Sequence, residues 1–405
     1  VTPDATRRRL LSRLAVRADT RLLLVVIDGL GGLPAAPDGQ TELEAAHTPT
    51  LDSLAAAGVT GLLTIAAPGI TPGSGPGHLA LFGFDPLEVS VSRGVLEALG
   101  IDVALNPQDV AIRGNLCRVD SSGRVVDRRA GRIGDQRARE LLERLRDLDV
   151  EGVEVAIHHV AEHRFVVVLH GAGLGADIQD TDPGRPGLAP RAPAASAPGS
   201  QRTAQAVQQL ADTAARRLAG EPDANMIVLR GAGRRPQLPS LDEAYRLRAM
   251  AVARYPMYRG IARLLGMHVL SAGGGAAGEA ELLRGGWDAH DFAFVHFKGA
   301  DRAGEDGDFD AKMAAIETID AALAGLLEPR PSVVVVTGDH STPAQLAAHS
   351  WHPVPVVLAA DTCRPDEQAR FGERHCALGG LGHLEAKHLM AIMLAHGGRL
   401  AKFDG

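Results

Sequence analysis

RLLLVVIDGLGG, residues 21–32, is an apolar run that ends in an acidic residue and glycines. It has no alternation of wet and dry positions, so it reads as a strand of a parallel sheet, buried on both faces and ending at a carboxyl edge. DFAFVHFKGAD at 291–301 and PSVVVVTGDH at 331–340 repeat the pattern. Asp28, Asp301 and Asp339 each close one of these strands, and His340 follows the last directly. GVTGLLTI at 58–65 and VPVVLAA at 354–360 are further strand candidates. Helical patterns lie between them: TPTLDSLAAA at 48–57, with Thr48 set to cap ahead of Pro49, DFDAKMAAIETIDAALAGLL at 308–327, and GHLEAKHLMAIMLAH at 382–396. Residues 243–267 read as helix, break at Pro256, helix.

The texture changes near residue 108. AIRGNLCRV at 111–119, VVDRRAGRI at 125–133 and alternating segments near 153–157 and 164–169 surround one charged helix over 135–148, and a second helix over 201–218 precedes the strand NMIVLRGAG. This is the pattern of a compact α+β insertion. Residues 183–200, PGRPGLAPRAPAASAPGS, read as a loop or mobile flap. The expected organisation is an α/β core from residues 20–107 and 240–405, its sheet mostly parallel with helices on both faces, interrupted by a smaller domain at 108–239.

Composition narrows the class. With 45% hydrophobic residues in 405, the chain is hydrophobic enough to build a core. Its net charge of −7 disfavours a general nucleic-acid surface. Arginines interrupt every apolar stretch of RRRLLSRLAVR near the start, so no membrane span or signal core is expected there. Cys117, Cys363 and Cys376 are widely spaced and fit a cytoplasmic compartment. Only four lysines occur, at 298, 312, 387 and 402, so arginine carries nearly all the positive charge.

Polar ends of buried parallel strands converge along one sheet edge, where open α/β folds place their sites. Carboxylates gathered there repel one another unless a proton or a cation intervenes. The spacing offers two groups: Asp28, Ser74, Asp339 and His340 around one divalent ion, and Asp301, Glu305 and His349 around a second. Mixed oxygen and nitrogen donors suit Mn²⁺, with Zn²⁺ and Co²⁺ as the other candidates, better than Mg²⁺. Ser74 lies in the turn-rich PGITPGSGPG, a segment able to present backbone amides to an anion. Lys298, beside Asp301, is a candidate to neutralise phosphate, and His78 a candidate to contact substrate from the helix after Ser74. GLGG lacks the full GxGxxG pattern and SAGGGAAG at 271–278 lacks a GK[ST] ending, so no nucleotide cofactor is expected.

VVIDGLGG, TPGS followed by HLALFGFDP, HFKGAD with DGD, and VTGDHSTP followed by AHSWHPVPV together resemble the archaeal-type cofactor-independent phosphoglycerate mutases of the alkaline phosphatase superfamily. DTDPG, VLRGAG and YPMYRG extend the likeness over roughly residues 20–400. The resemblance implies an alkaline-phosphatase-like core and a small phosphorylated glycerate as the partner, with no membrane or nucleic acid. It implies interconversion of 2-phosphoglycerate and 3-phosphoglycerate through a phosphoserine. It makes Ser74 the nucleophile, Asp28, Asp339 and His340 ligands of one metal, and Asp301 and His349 ligands of the other. Arg113, Arg129 and Arg132 match segments that recur in the family and become candidates for the substrate carboxylate, held by a capping insertion. Two departures stand out: Glu305 replaces the family's usual histidine, and Ser74-Gly75-Pro76-Gly77 replaces its SDTA. They keep open a metal-dependent phosphomonoester or phosphonate hydrolase on the same core, and a non-enzymatic metal- or carboxylate-binding protein is a further alternative.

Overall fold

The computed structural model describes residues 2–36, 39–148, 150, 152–270 and 275–404. The chain divides into two compact units, each built on its own sheet. The first comprises Val1–Ser90, Leu238–Arg254 and Ile261–Gly405; the second comprises Val91–Gln237 and Tyr255–Gly260.

Numbered along the chain, the strands of the first unit are β1 (Leu22–Ile27), β2 (Val59–Thr64), β8 (Ala249–Val252), β9 (His268–Leu270), β10 (Phe292–Phe297), β11 (Val333–Thr337), β12 (Val354–Ala360) and β13 (Gly382–Glu385). They form one sheet in the order β13-β2-β12-β11-β1-β10-β8-β9. Only β12 runs against its neighbours; every other pairing in this sheet is parallel. All six residues of β1 are fully buried, and β11 beside it is valine throughout its first four positions. Each such side chain removed from water contributes about 1.5–3 kcal/mol, which is why these strands show no polar alternation.

Several expectations need correction. The stretch around 249–252, expected as helix, is strand β8, because AMAV fits the slot between β10 and β9 and tertiary pairing overrides its helix propensity. The closing segment is likewise not one helix: Gly382–Glu385 pairs with β2 before the helix Leu389–His396 begins. Asp301 does not end a strand but lies in the first turn of the helix Gly299–Glu305. Thr48 makes no side-chain cap on the helix Pro49–Ala57. Asp320 takes that role from the far helix Phe309–Leu326, accepting from the amides of Thr50 at 3.1 Å and Leu51 at 2.8 Å. Of SAGGGAAG, residues 271–274 lie outside the described residues, and the helix Gly275–Gly286 takes up the rest.

The second unit holds β3 (Val110–Val119), β4 (Val125–Asp127), β5 (Glu154–Ala161), β6 (Arg164–His170) and β7 (Met226–Gly233). β3 is its central strand, antiparallel to β6, β7 and β4. One apolar core joins β3, β5, β6 and β7 to the helices Asp135–Glu143 and Gln201–Arg217, and a smaller cluster gathers Cys117, Val125 and Val228. The unit begins earlier than residue 108, since the helix Arg93–Gly100 belongs to it and packs closely enough that a side chain at Gly94 would meet the Ala111 carbonyl. Residues 183–200 are irregular but tethered to β4: Val125 donates to the Leu188 carbonyl at 2.9 Å and Gly187 to the Val125 carbonyl at 2.8 Å.

His163, buried between β5 and β6, carries a pH prediction. Burial first, then Arg164, Arg113 and Arg129, pushes its pKa from 6.5 down to about 4. It stays neutral in the fold while the unfolded chain protonates below about 6.5. Its contribution is therefore complete above that pH and is lost as pH falls toward 4. The melting temperature of the parent should fall more steeply between pH 6.5 and 4 than that of His163→Gln; parallel profiles would contradict this.

Candidate metal centre

The parallel order of β11, β1 and β10 brings three carboxyl ends side by side. Asp28 follows β1 directly and its amide donates to the Phe297 carbonyl at 2.8 Å, so the pairing with β10 continues to the site. Asp339 and His340 follow β11 after Gly338, and Asp301 follows β10 on the short helix. Asp28, Asp339 and His340 are fully buried, and Asp301 nearly so.

Ser74 opens the helix Ser74–Leu81 with Pro76 in its first turn, where a missing amide hydrogen costs nothing. Gly77 is what allows this turn to reach the site, since a Cβ there would stand 2.3 Å from the Asp339 carbonyl oxygen. The result places Ser74 Oγ 3.2 Å from His340 Nε2. Residues 266 positions apart in the chain thus share one site.

Two groups of side chains converge closely enough to hold cations: Asp28, Asp339 and His340, and Asp301, His340 and His349. His340 belongs to both, with Nε2 3.3 Å from Asp28 Oδ1 and 3.4 Å from Asp339 Oδ2. The His349 ring stacks on it at 3.7 Å, and His349 Nε2 lies 3.4 Å from Asp301 Oδ1. The residues fit a divalent cation. Asp339 Oδ2 is buried and accepts no hydrogen bond from the described residues, and the donors combine hard oxygens with imidazole nitrogen.

The electrostatics agree. Burial alone would raise the Asp28 carboxyl, but His296, His340 and Lys298 hold it well below the usual range. Burial and Asp28 push Asp301 up, and His349, Lys298 and His340 outweigh them. Burial lowers His340, yet Asp339, Asp28 and Asp301 together lift it to about 9. Lys298 Nζ bridges the two groups, 3.0 Å from Asp28 Oδ2 and 2.6 Å from Asp301 Oδ2.

Not every expected residue gathers here. Glu305 approaches His349 Nε2 at 3.7 Å but stays outside both groups with its side chain more than half exposed. His78 is fully buried; the helical spacing puts it one turn below Ser74, where Nδ1 donates to the Ser74 carbonyl at 2.8 Å and the ring packs on Phe294 and His296. In the second unit, Arg113 is buried 3.4 Å from Glu97, and burial with Arg93 and Arg230 nearby pulls it down to about 10. Arg129 and Arg132 are exposed, whereas their neighbour Arg128 is held by both oxygens of Asp182.

Three residues at the metal centre escaped the sequence reading. His296 lies within β10, 3.3 Å from Asp28 Oδ2, and its place in an apolar strand was the one available signal. Thr342 contacts both Asp301 and His340. Lys312, fully buried on its helix, donates to the carbonyls of Gly31 at 2.9 Å and Thr342 at 2.8 Å, tying the loops after β1 and β11 together.

Comparison with known proteins places relatives beside this chain. A family model described as 2,3-bisphosphoglycerate-independent phosphoglycerate mutase matches residues 55–223. A protein of Thermus thermophilus named as a probable enzyme of that kind is 46% identical over 398 residues, covering 97% of this chain and 98% of its own. One of the same name from Aquifex aeolicus is 41% identical over 403 residues, covering 97% and 99%. Among solved structures, a Pyrococcus horikoshii protein superposes with a TM-score of 0.83 at 28% identity, over 95% of this chain and 99% of that one. A cofactor-independent phosphoglycerate mutase from Thermoplasma acidophilum gives 0.69 at 31%, over 94% and 100%.

The buried and exposed carboxylates should differ as ligands. In Mn²⁺ titrations Asp339→Asn should weaken binding by more than about 100-fold, and Glu305→Gln by about tenfold or less. Equal losses would contradict the geometry.

Proposed function

The chain belongs to the 2,3-bisphosphoglycerate-independent phosphoglycerate mutases of the alkaline phosphatase superfamily, and from that premise we infer that it interconverts 2-phosphoglycerate and 3-phosphoglycerate through a phosphoserine at Ser74. The relatives described above are bacterial and the solved ones archaeal, so the subgroup the motifs resemble is not specifically archaeal.

The observation that carries this reading is the Ser74 hydroxyl 3.2 Å from His340 Nε2, beside buried carboxylates. Asp28, Asp339, His340 and Ser74 would hold one divalent ion, and Asp301 and His349 the other, with Glu305 reaching it only by turning inward. Bound cations there supply charge neutralisation for the phosphoryl oxygens and lower the pKa of the serine hydroxyl. The mixture of carboxylate, imidazole and hydroxyl donors supports Mn²⁺ as the ion.

In this reading Ser74 Oγ attacks the substrate phosphorus in line while the glycerate oxygen leaves. The other glycerate hydroxyl then attacks the phosphoserine, and the serine is regenerated. Lys298, one-third exposed and already between two carboxylates, is the residue we assign to the phosphate charge. For the glycerate carboxylate we assign Arg113, supported by the charge that Arg93 and Arg230 add beside it, with Arg129 and Arg132 as exposed further candidates. Water must be kept from the phosphoserine, since hydrolysis there would turn a mutase into a phosphatase. Among the described residues no helix is long and apolar enough to cross a membrane, and the three free cysteines support a cytoplasmic setting.

Incubation of 3-phosphoglycerate with enzyme and Mn²⁺, without 2,3-bisphosphoglycerate, should give 2-phosphoglycerate with little free phosphate. Ser74→Ala should abolish turnover while Ser53→Ala changes it little, and a short incubation should trap phosphate on Ser74. Stoichiometric phosphate release without 2-phosphoglycerate, or an active Ser74→Ala, would overturn the proposal.

A further inference from the structure

The Thr342 hydroxyl is fully buried and stands between the two groups of candidate ligands. It donates to Asp301 Oδ1 at 2.8 Å and lies 3.0 Å from His340 Nδ1. A hydroxyl has one hydrogen and an ionised carboxylate only accepts. With that hydrogen given to Asp301, the hydroxyl can only accept from His340, so the donor and acceptor inventory puts a proton on Nδ1. Nε2 is left turned toward Asp28, Asp339 and Ser74, the side on which a cation would sit.

The surroundings hold the hydroxyl in this place. The Thr342 amide donates to the Gly31 carbonyl at 3.0 Å, and the Thr342 carbonyl accepts from buried Lys312 at 2.8 Å. Gly29, with φ +68°, leaves the room: a Cβ there would stand 2.6 Å from Thr342 Oγ1 and 2.8 Å from the Asp301 Cα. The glycine of the first motif and the threonine of the last therefore fit one another.

We propose that Thr342 is a positioning residue: its hydroxyl fixes His340 with Nδ1 protonated and Nε2 presented to the cation, and in the same bond network aligns Asp301, so that the two cation positions are built together. This rests on the reading that the two groups hold divalent ions. Partners of this kind orient a metal-binding imidazole and typically change metal affinity by about 10–100-fold when removed. A hydroxyl that served only to fill space would be replaced by an isosteric methyl without that loss.

The test is calorimetric titration of Mn²⁺ into the metal-free parent, Thr342→Val, Thr342→Ser and Thr342→Ala, each held well below its own melting temperature. Thr342→Val and Thr342→Ala should bind Mn²⁺ about 10–100-fold more weakly at both positions, with Thr342→Ser close to the parent. Val or Ala binding as tightly as the parent would overturn the proposal, as would Ser binding as weakly as Ala. If Val does not fold, Ser against Ala decides alone. A parent that binds no Mn²⁺ would defeat the metal reading itself, an outcome distinct from a parent and variants that all bind equally.

Discussion

Three carboxylates and an imidazole share one buried corner of the sheet edge, and their mutual charge is the constraint from which the site follows. At an effective dielectric constant near 20, two like unit charges 4 Å apart repel by about 4 kcal/mol. Asp28, Asp301 and Asp339 are nevertheless gathered, with His340 drawn toward its protonated form and the Lys298 ammonium lodged between two of them. Neutral donors assist as well, the Thr342 hydroxyl at Asp301 and the Gly29 amide at Asp339. A pair of divalent cations is the chemically stronger version of the same compensation, and it turns an electrostatic liability into a means of holding a phosphoryl group.

Holding these groups together requires close approaches that ordinary side chains would block. Gly77 lets the serine helix press against the backbone of Asp339, and Gly29 lets Asp301 and Thr342 meet. Lys312 then fastens the loops after β1 and β11 from beneath, although burial lowers its pKa against the pull of Glu42, Glu373 and Asp301. Such a buried ammonium is retained because two backbone carbonyls and Glu42 at 3.7 Å accept its charge. The rigidity of the metal centre therefore comes from loops pinned at their backbones as much as from the strands that deliver them.

The ends of the sheet strands were legible because a strand buried on both faces leaves an unmistakable apolar run, and a carboxylate at its end is conspicuous. Asp28, Asp339 and His340 could be read for that reason, and Asp301 too, though it starts a helix. Strands β8 and β13 were not legible: AMAV and GHLE have no local strand signal and owe their form to the neighbours that pair with them. The cap from Asp320 escaped for a similar reason, since it acts across 269 residues on Leu51. For His78 the sequence allows either contact with substrate or a local hydrogen bond, and the helical spacing that turns it inward to the Ser74 carbonyl appears only in the fold. Thr342 and Lys312 carry no motif of their own, and only the packed loops reveal that one hydroxyl and one ammonium serve several ligands at once.

Diffraction from crystals grown with Mn²⁺, recorded at the manganese absorption edge, tests the central claim most directly. Two anomalous peaks are predicted, one enclosed by Asp28, Asp339, His340 and the Ser74 hydroxyl, and one against Asp301 and His349. Fully formed side chains at this corner with no anomalous density, or manganese bound elsewhere on the protein, would contradict it.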